Sequence, residues 1–120
     1  APGDQDNVQV LLSEIRGNQN AHGLLVMRSG ERSGERFSLT LDRVEIGRNP
    51  ECTVCLDDVT VSRRHAELRL GSDGYVMTDM GSLNGTYVNQ ERVEEMLLQN
   101  GDELQVGKYR MVFFDIASNS

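Results

Sequence analysis

From Leu24 to Phe113 the apolar residues recur at every second position in short runs, and clusters of Gly, Asn, Asp and Ser break the runs. Period two puts alternate side chains on opposite faces of an extended chain, so each run predicts a half-buried β-strand. Residues 24–27 are a short apolar run, and Phe37, Leu39 and Leu41 alternate with Arg36, Ser38 and Thr40. Between them Ser29-Gly30-Glu31-Arg32-Ser33-Gly34 has the composition of a hairpin loop. Val44 and Ile46 stop at Gly47, Val54 and Leu56 mark a further short strand, and Ala66, Leu68 and Leu70 oppose His65, Glu67 and Arg69. Gly71-Ser72-Asp73-Gly74 turns the chain into residues 75–80. Asn100-Gly101 reads as a type I′ hairpin turn, which wants positive φ at both central residues. Leu104 and Val106 follow it, and Gly107-Lys108 leads into Tyr109, Met111 and Phe113. Short strands with turn residues between them predict an all-β sandwich or barrel.

Residues 1–23 break this pattern, being polar and rich in Asn, Gln and Gly, and they read as an N-terminal tail. Within them Val8, Leu11, Leu12 and Ile15 fall at helical spacing, with Asp6 or Asn7 placed to cap a short helix. Such a segment either packs loosely as a terminus or docks on a partner or on the domain itself. The folded domain is expected over residues 24–116, with a C-terminal tail at 117–120.

At 120 residues the chain fits one domain, long enough for its own core without cross-links. Twelve Lys and Arg against 19 Asp and Glu leave a net charge of -7, which argues against nucleic acid or an anionic membrane as partner. The two cysteines, Cys52 and Cys55, make no disulfide framework, and a reduced, cytoplasmic setting is expected. No apolar run approaches a membrane span, and the N-terminus lacks a signal peptide's charged-then-apolar plan. Glu94-Glu95 and Asp57-Asp58 read as solvated surface, and Val93, Met96, Leu97 and Leu98 as core or edge packing.

Chemistry gathers in three segments that each adjoin a predicted strand. These are Gly47-Arg48, the run Asp57-Asp58-Val59-Thr60-Val61-Ser62-Arg63-Arg64-His65-Ala66-Glu67, and Gly81-Ser82-Leu83-Asn84-Gly85-Thr86. Loops presented by a rigid sheet are where recognition residues concentrate. Arg48 and Arg63 supply planar forks that match phosphate oxygens two at a time. Ser62 adds a hydroxyl, and the amide of Asn84, donor and acceptor together, suits a peptide backbone. Gly47 and Gly85 permit tight approach or unusual dihedrals.

Gly47-Arg48, then Ser62-x-x-His65, then Asn84-Gly85-Thr86 and Asn100-Gly101-Asp102 together resemble a forkhead-associated (FHA) domain over about Leu24 to Asp115. The resemblance implies a β-sandwich of about eleven strands with recognition loops at one end. It implies phosphothreonine peptides as ligands, held by Arg48, Ser62, Arg63, Leu83 and Asn84, with Gly47, His65 and Gly85 shaping the loops. Partners would be phosphothreonine-containing proteins, a Ser/Thr kinase or its substrates, and no cofactor or metal is called for. Within the family the runs around Ser62 and Asn84 are most similar to GarA/OdhI-type actinobacterial regulators of 2-oxoglutarate metabolism. That similarity implies inhibition of enzymes such as 2-oxoglutarate dehydrogenase, relieved by a phosphorylated threonine in the protein's own tail. Residues 1–23 contain no threonine.

Two other readings use the same residues. Ser62, His65 and Asp58 suggest a hydrolase triad, but no nucleophile elbow surrounds Ser62. Cys52-x-x-Cys55 is half of a zinc motif that His22 or His65 would complete, but in a strand its two thiols would fall on opposite faces.

Overall fold

The computed structural model describes residues 21–116, which form eleven strands. They are β1 (Gly23–Met27), β2 (Arg36–Leu39), β3 (Arg43–Gly47), β4 (Val54–Cys55), β5 (Ala66–Gly71) and β6 (Gly74–Asp79), followed by β7 (Thr86–Val88), β8 (Glu91–Val93), β9 (Glu95–Leu97), β10 (Glu103–Val106) and β11 (Tyr109–Asp115). One sheet has six strands in the order β2-β1-β11-β10-β7-β8, and the other five in the order β4-β3-β5-β6-β9. The helix expected within residues 8–16 and the C-terminal tail lie outside the described residues.

Alternation builds the core from both sheets. Leu25, Met27, Leu104, Val106, Met111 and Phe113 of the first meet Val44, Ile46, Leu68, Tyr75 and Met77 of the second, all nearly inaccessible to solvent. Each such side chain contributes roughly 1.5–3 kcal/mol on burial. Tyr75 meets Phe113 edge-on at 6.1 Å, and its hydroxyl donates to the Leu41 carbonyl at 2.8 Å.

Three local expectations change. The strand through Phe37 and Leu39 ends at Leu39, and Leu41 is exposed in the turn that leads to β3. Asn100-Gly101 is not a type I′ hairpin: only Gly101 has positive φ, and the segment crosses from β9 in one sheet to β10 in the other. Both central residues take positive φ instead at Asn89 and Gln90, where β7 folds directly onto β8 with Val88 opposite Glu91. Glu67 faces away from the core as the alternation predicts, yet it is buried, because Arg43 and Arg69 close over its carboxylate as ion pairs.

Candidate functional site

Strand register brings the three chemical segments together. Ile46 lies opposite Ala66, and Ala66 opposite Asp79, so the chain leaves β3, enters β5 and leaves β6 at the same end of the five-stranded sheet. Gly47 then lets two of the loops touch. A Cβ on Gly47 would sit 2.2 Å from the Arg63 carbonyl oxygen, far inside any real contact. Without it, the Arg48 N–H donates to the Ser62 carbonyl at 3.0 Å and the Asn49 N–H to the Arg63 carbonyl at 3.2 Å. Gly47→Ala is therefore expected to push the loops apart and to cost about 1–3 kcal/mol of stability, read as a lower denaturation midpoint at unchanged m-value.

His65 connects all three loops. Its side chain is wholly buried, its Nδ1 accepts the Ser62 N–H at 3.1 Å, and its Nε2 stands 2.8 Å from the Gly85 carbonyl oxygen. A nitrogen that accepts carries no hydrogen, so the ring is the Nε2–H tautomer and donates to Gly85. The His65 backbone adds bonds to Ile46 and Met80. Ser62 Oγ accepts the Leu83 N–H at 3.1 Å, which leaves the hydroxyl hydrogen available to an incoming acceptor. The Asn84 amide donates to the Thr60 carbonyl at 2.9 Å, holding the third loop against the second.

Two braces underlie these contacts, and neither was visible in the sequence motifs. Asp58 accepts the Thr60 N–H and Oγ–H at 2.9 and 2.6 Å and pairs with Lys108 at 3.1 Å. Thr60 Oγ in turn accepts the Lys108 N–H at 2.9 Å, tying this loop to the β10–β11 turn of the other sheet. The two hydrogen bonds from Thr60, with the Lys108 contact, hold the Asp58 carboxyl down at about 2. Asp79 takes four donors: Ser82 Oγ–H and Thr86 Oγ–H at 2.5 and 2.7 Å, and the N–H groups of Gly81 and Ser82 at 3.1 and 3.2 Å. Burial pushes the Asp79 carboxyl up, but these donors outweigh it and leave the carboxyl below its ordinary range. A carboxyl lowered on folding adds stability above its unfolded pKa, and that stability is lost as pH falls through the lower folded value. Acid melting curves should show this loss in the wild type and a shallower acid dependence in Asp79→Asn.

Arg48 and Arg63 are exposed, and neither has an ion-pair partner among the described residues. Arg64 differs, since its guanidinium lies 3.9 Å from Glu45. Arg48, Asn49, Pro50, Cys55, Asp57 and Arg63 line one shallow depression. The thiols of Cys52 and Cys55 lie 3.5 and 3.7 Å from the carbonyl oxygens of Arg63 and Arg48, so both brace the loops that carry the arginines. Val59 and Leu83, 88% and 86% exposed, are the most exposed large apolar side chains among the described residues and stand on two of the loops. The triad arrangement is not formed: both ring nitrogens of His65 face backbone groups, and Asp58 is engaged by Thr60 and Lys108.

A two-sheet sandwich whose loops at one end set two exposed arginines around a depression, with the Ser62 hydroxyl on the loop between them and β5, defines a loop-borne recognition module. The FHA domain family model matches residues 44–107, and the chain belongs to that family. The oxoglutarate dehydrogenase inhibitor of Corynebacterium jeikeium is 48% identical over 101 residues, covering 84% of this chain and 70% of the relative. The glycogen accumulation regulator GarA of Mycolicibacterium smegmatis is 49% identical over 102 residues, covering 85% of this chain and 65% of the relative. The chain thus spans about two thirds of the length of these relatives. A structure from a study of phosphothreonine-dependent FHA domain interactions superposes with a TM-score of 0.71 at 31% identity, covering 78% of this chain and 95% of that one. Mycobacterium tuberculosis EmbR in complex with a low-affinity phosphopeptide gives a TM-score of 0.73 at 29% identity, covering 79% of this chain and 24% of that one. Among the described residues no helix is long and apolar enough to cross a membrane.

Proposed function

We propose that this FHA domain binds phosphothreonine peptides and mediates phosphorylation-dependent protein–protein contacts in Ser/Thr kinase signalling. One observation carries the reading: Arg48 and Arg63, without ion pairs among the described residues, border the same depression on the loops joined through Ser62. A phosphate with about -1.5 to -2 charge is the ligand that uses both forks and a hydroxyl donor together. In this reading Arg48, Ser62 and Arg63 hold the phosphate, while Asn84 and Leu83 contact the peptide beside it. Gly47, His65 and Gly85 keep the loops in place. The domain acts by binding, without catalysis or cofactor, in the cytoplasm.

Calorimetry tests this directly. A phosphothreonine peptide should bind and its unphosphorylated twin should not; equal binding of the two would sink the reading. Because the chain is acidic overall, attraction of an anionic peptide must come from the local arginines. Charges are screened over about 8 Å at physiological ionic strength, so association should slow as salt rises. Stopped-flow rates that ignore salt would mean that the arginines do not steer the peptide.

A second reading is favoured by the 48% identity to an oxoglutarate dehydrogenase inhibitor. The same loop face, with Val59 and Leu83 supplying apolar area beside the arginines, would grip an unmodified metabolic enzyme such as 2-oxoglutarate dehydrogenase. Titrating that enzyme, free of phosphate, into the chain separates the two: inhibition supports the second reading, and its absence leaves only the phosphopeptide reading.

A further inference from the structure

The outer faces of the two sheets carry their cations differently. On the five-stranded sheet these are neutralised within the face, since Arg43 and Arg69 pair with Glu67, and Arg64 with Glu45. On the six-stranded sheet Arg92 and Arg110 are not. In β7, β10 and β11 the buried residues Thr86 and Val88, Leu104 and Val106, and Tyr109 and Met111 point inward, so Tyr87, Gln105 and Arg110 point out. Register puts Arg92 opposite Tyr87, Tyr87 opposite Gln105, and Gln105 opposite Arg110, which makes one row across four adjacent strands. Both arginines are exposed, and neither has an ion-pair partner among the described residues. Neighbouring strands lie about 4.8 Å apart, so Arg92 and Arg110 stand about 14 Å apart along the row. Glu103, on the same side of β10 as Gln105, lies one pleat further from the loops.

The row runs into the loop site. It lies one residue inward from Thr86, Val93, Val106 and Tyr109, the strand ends nearest the loops. Asn84, Gly85, Tyr87 and Gln105 border one depression, and the Gln105 amide leans toward the loops to donate to the Gly107 carbonyl at 3.3 Å. Arg92 closes on the third loop, for a Cβ on Gly85 would sit 2.8 Å from its Nε and 3.0 Å from its Cζ. Its guanidinium thus rests on the Gly85 backbone, one residue from Asn84. We infer that the row is a second binding surface, taking a run of Asp or Glu that flanks the partner's phosphothreonine on the side passing Asn84; this rests on the phosphopeptide reading of the loop site. Charge selects the occupant. The chain carries a net charge of -7, so most of its surface repels an acidic segment, whereas the unpaired forks of Arg92 and Arg110 can each take a carboxylate through two hydrogen bonds. Five extended residues span roughly 17 Å, enough to follow the row from Arg92 to Arg110 across the half-buried Tyr87 ring.

Calorimetry at low salt tests the proposal with a short phosphothreonine peptide and the same peptide carrying a run of Glu on one side or the other. On the side that passes Asn84 the acidic run should raise affinity by about three- to tenfold, and rising salt should erase the gain, as it does for exposed ion pairs. R92Q/R110Q should remove the gain. R110Q alone should reduce it and leave affinity for the short peptide within about twofold, because Arg110 stands outside the loop site. Tyr87 ring resonances should move on adding the acidic peptide and stay in place with the short one. The proposal is overturned if a run of Gln gains as much, if both sides gain equally, or if the gain survives R92Q/R110Q. Failure of the short phosphopeptide to bind at all is a different result: it removes the phosphopeptide reading, and the role of the row falls with it.

Discussion

Arg48→Ala should weaken binding of a phosphothreonine peptide by about ten- to over a hundredfold, since a hydrogen bond to a charged group contributes about 1.5–3 kcal/mol. Calorimetry against one peptide reads the effect. The melting temperature should stay close to wild type, because the Arg48 side chain is exposed and its backbone serves the fold, the N–H donating to Ser62 and the carbonyl accepting from Cys55. Arg48→Lys keeps the charge and loses the fork, so its affinity should fall between the two. Ser62→Ala belongs at the lower end of the same range, as one neutral donor is lost while both arginines remain. Normal affinity in Arg48→Ala would remove the phosphate from this depression.

His65→Ala should show the opposite balance, with a large loss of stability that drags affinity down with it. The ring is wholly buried, and its removal leaves the Ser62 N–H and the Gly85 carbonyl without partners. Each buried unsatisfied group costs about 1–3 kcal/mol, so a total of about 2–4 kcal/mol is expected once some water enters. In a domain of this size that lowers the melting temperature by more than about 10 °C. Denaturant titration and calorimetry on the same preparation check both halves. If His65→Ala kept full stability and lost all function, the ring would be acting on the ligand, and a catalytic role would have to be reopened.

The two variants differ because Arg48 stands exposed on its loop while the His65 ring is buried among loop backbone groups, in keeping with the separate parts the sequence reading expected of them. Gly47-Arg48 and Ser62-x-x-His65 were legible because each lies at a change from alternating to broken pattern. What His65 bonds was not legible. Its partner Gly85 is 20 residues away, and the two meet only because β5 and β6 pair with Ala66 opposite Asp79. The Asp79 cluster and the link from Thr60 to Lys108 were missed for the same reason. Ser, Thr and Asp are common in any loop, and only the assembled sandwich shows which of them are donors to one carboxylate.

Local pattern determined the all-β class, the positions of every strand but β7, β8 and β9 within a few residues, and the three loop segments, because side-chain period and turn residues act over a few neighbours. Asn100-Gly101 marks the boundary of that kind of reasoning. Its glycine does take positive φ, as the local rule requires, but the strands on either side join different sheets, a choice made by burial across the whole core. Gln90 is the converse, a residue with no turn signature held at positive φ because Val88 and Glu91 must pair. Strand partnership and loop-to-loop hydrogen bonds depend on residues far apart in the chain, so the close approach of Arg63 to Gly47 and the bridge from Ser62 through His65 to Gly85 were decided by the tertiary structure alone.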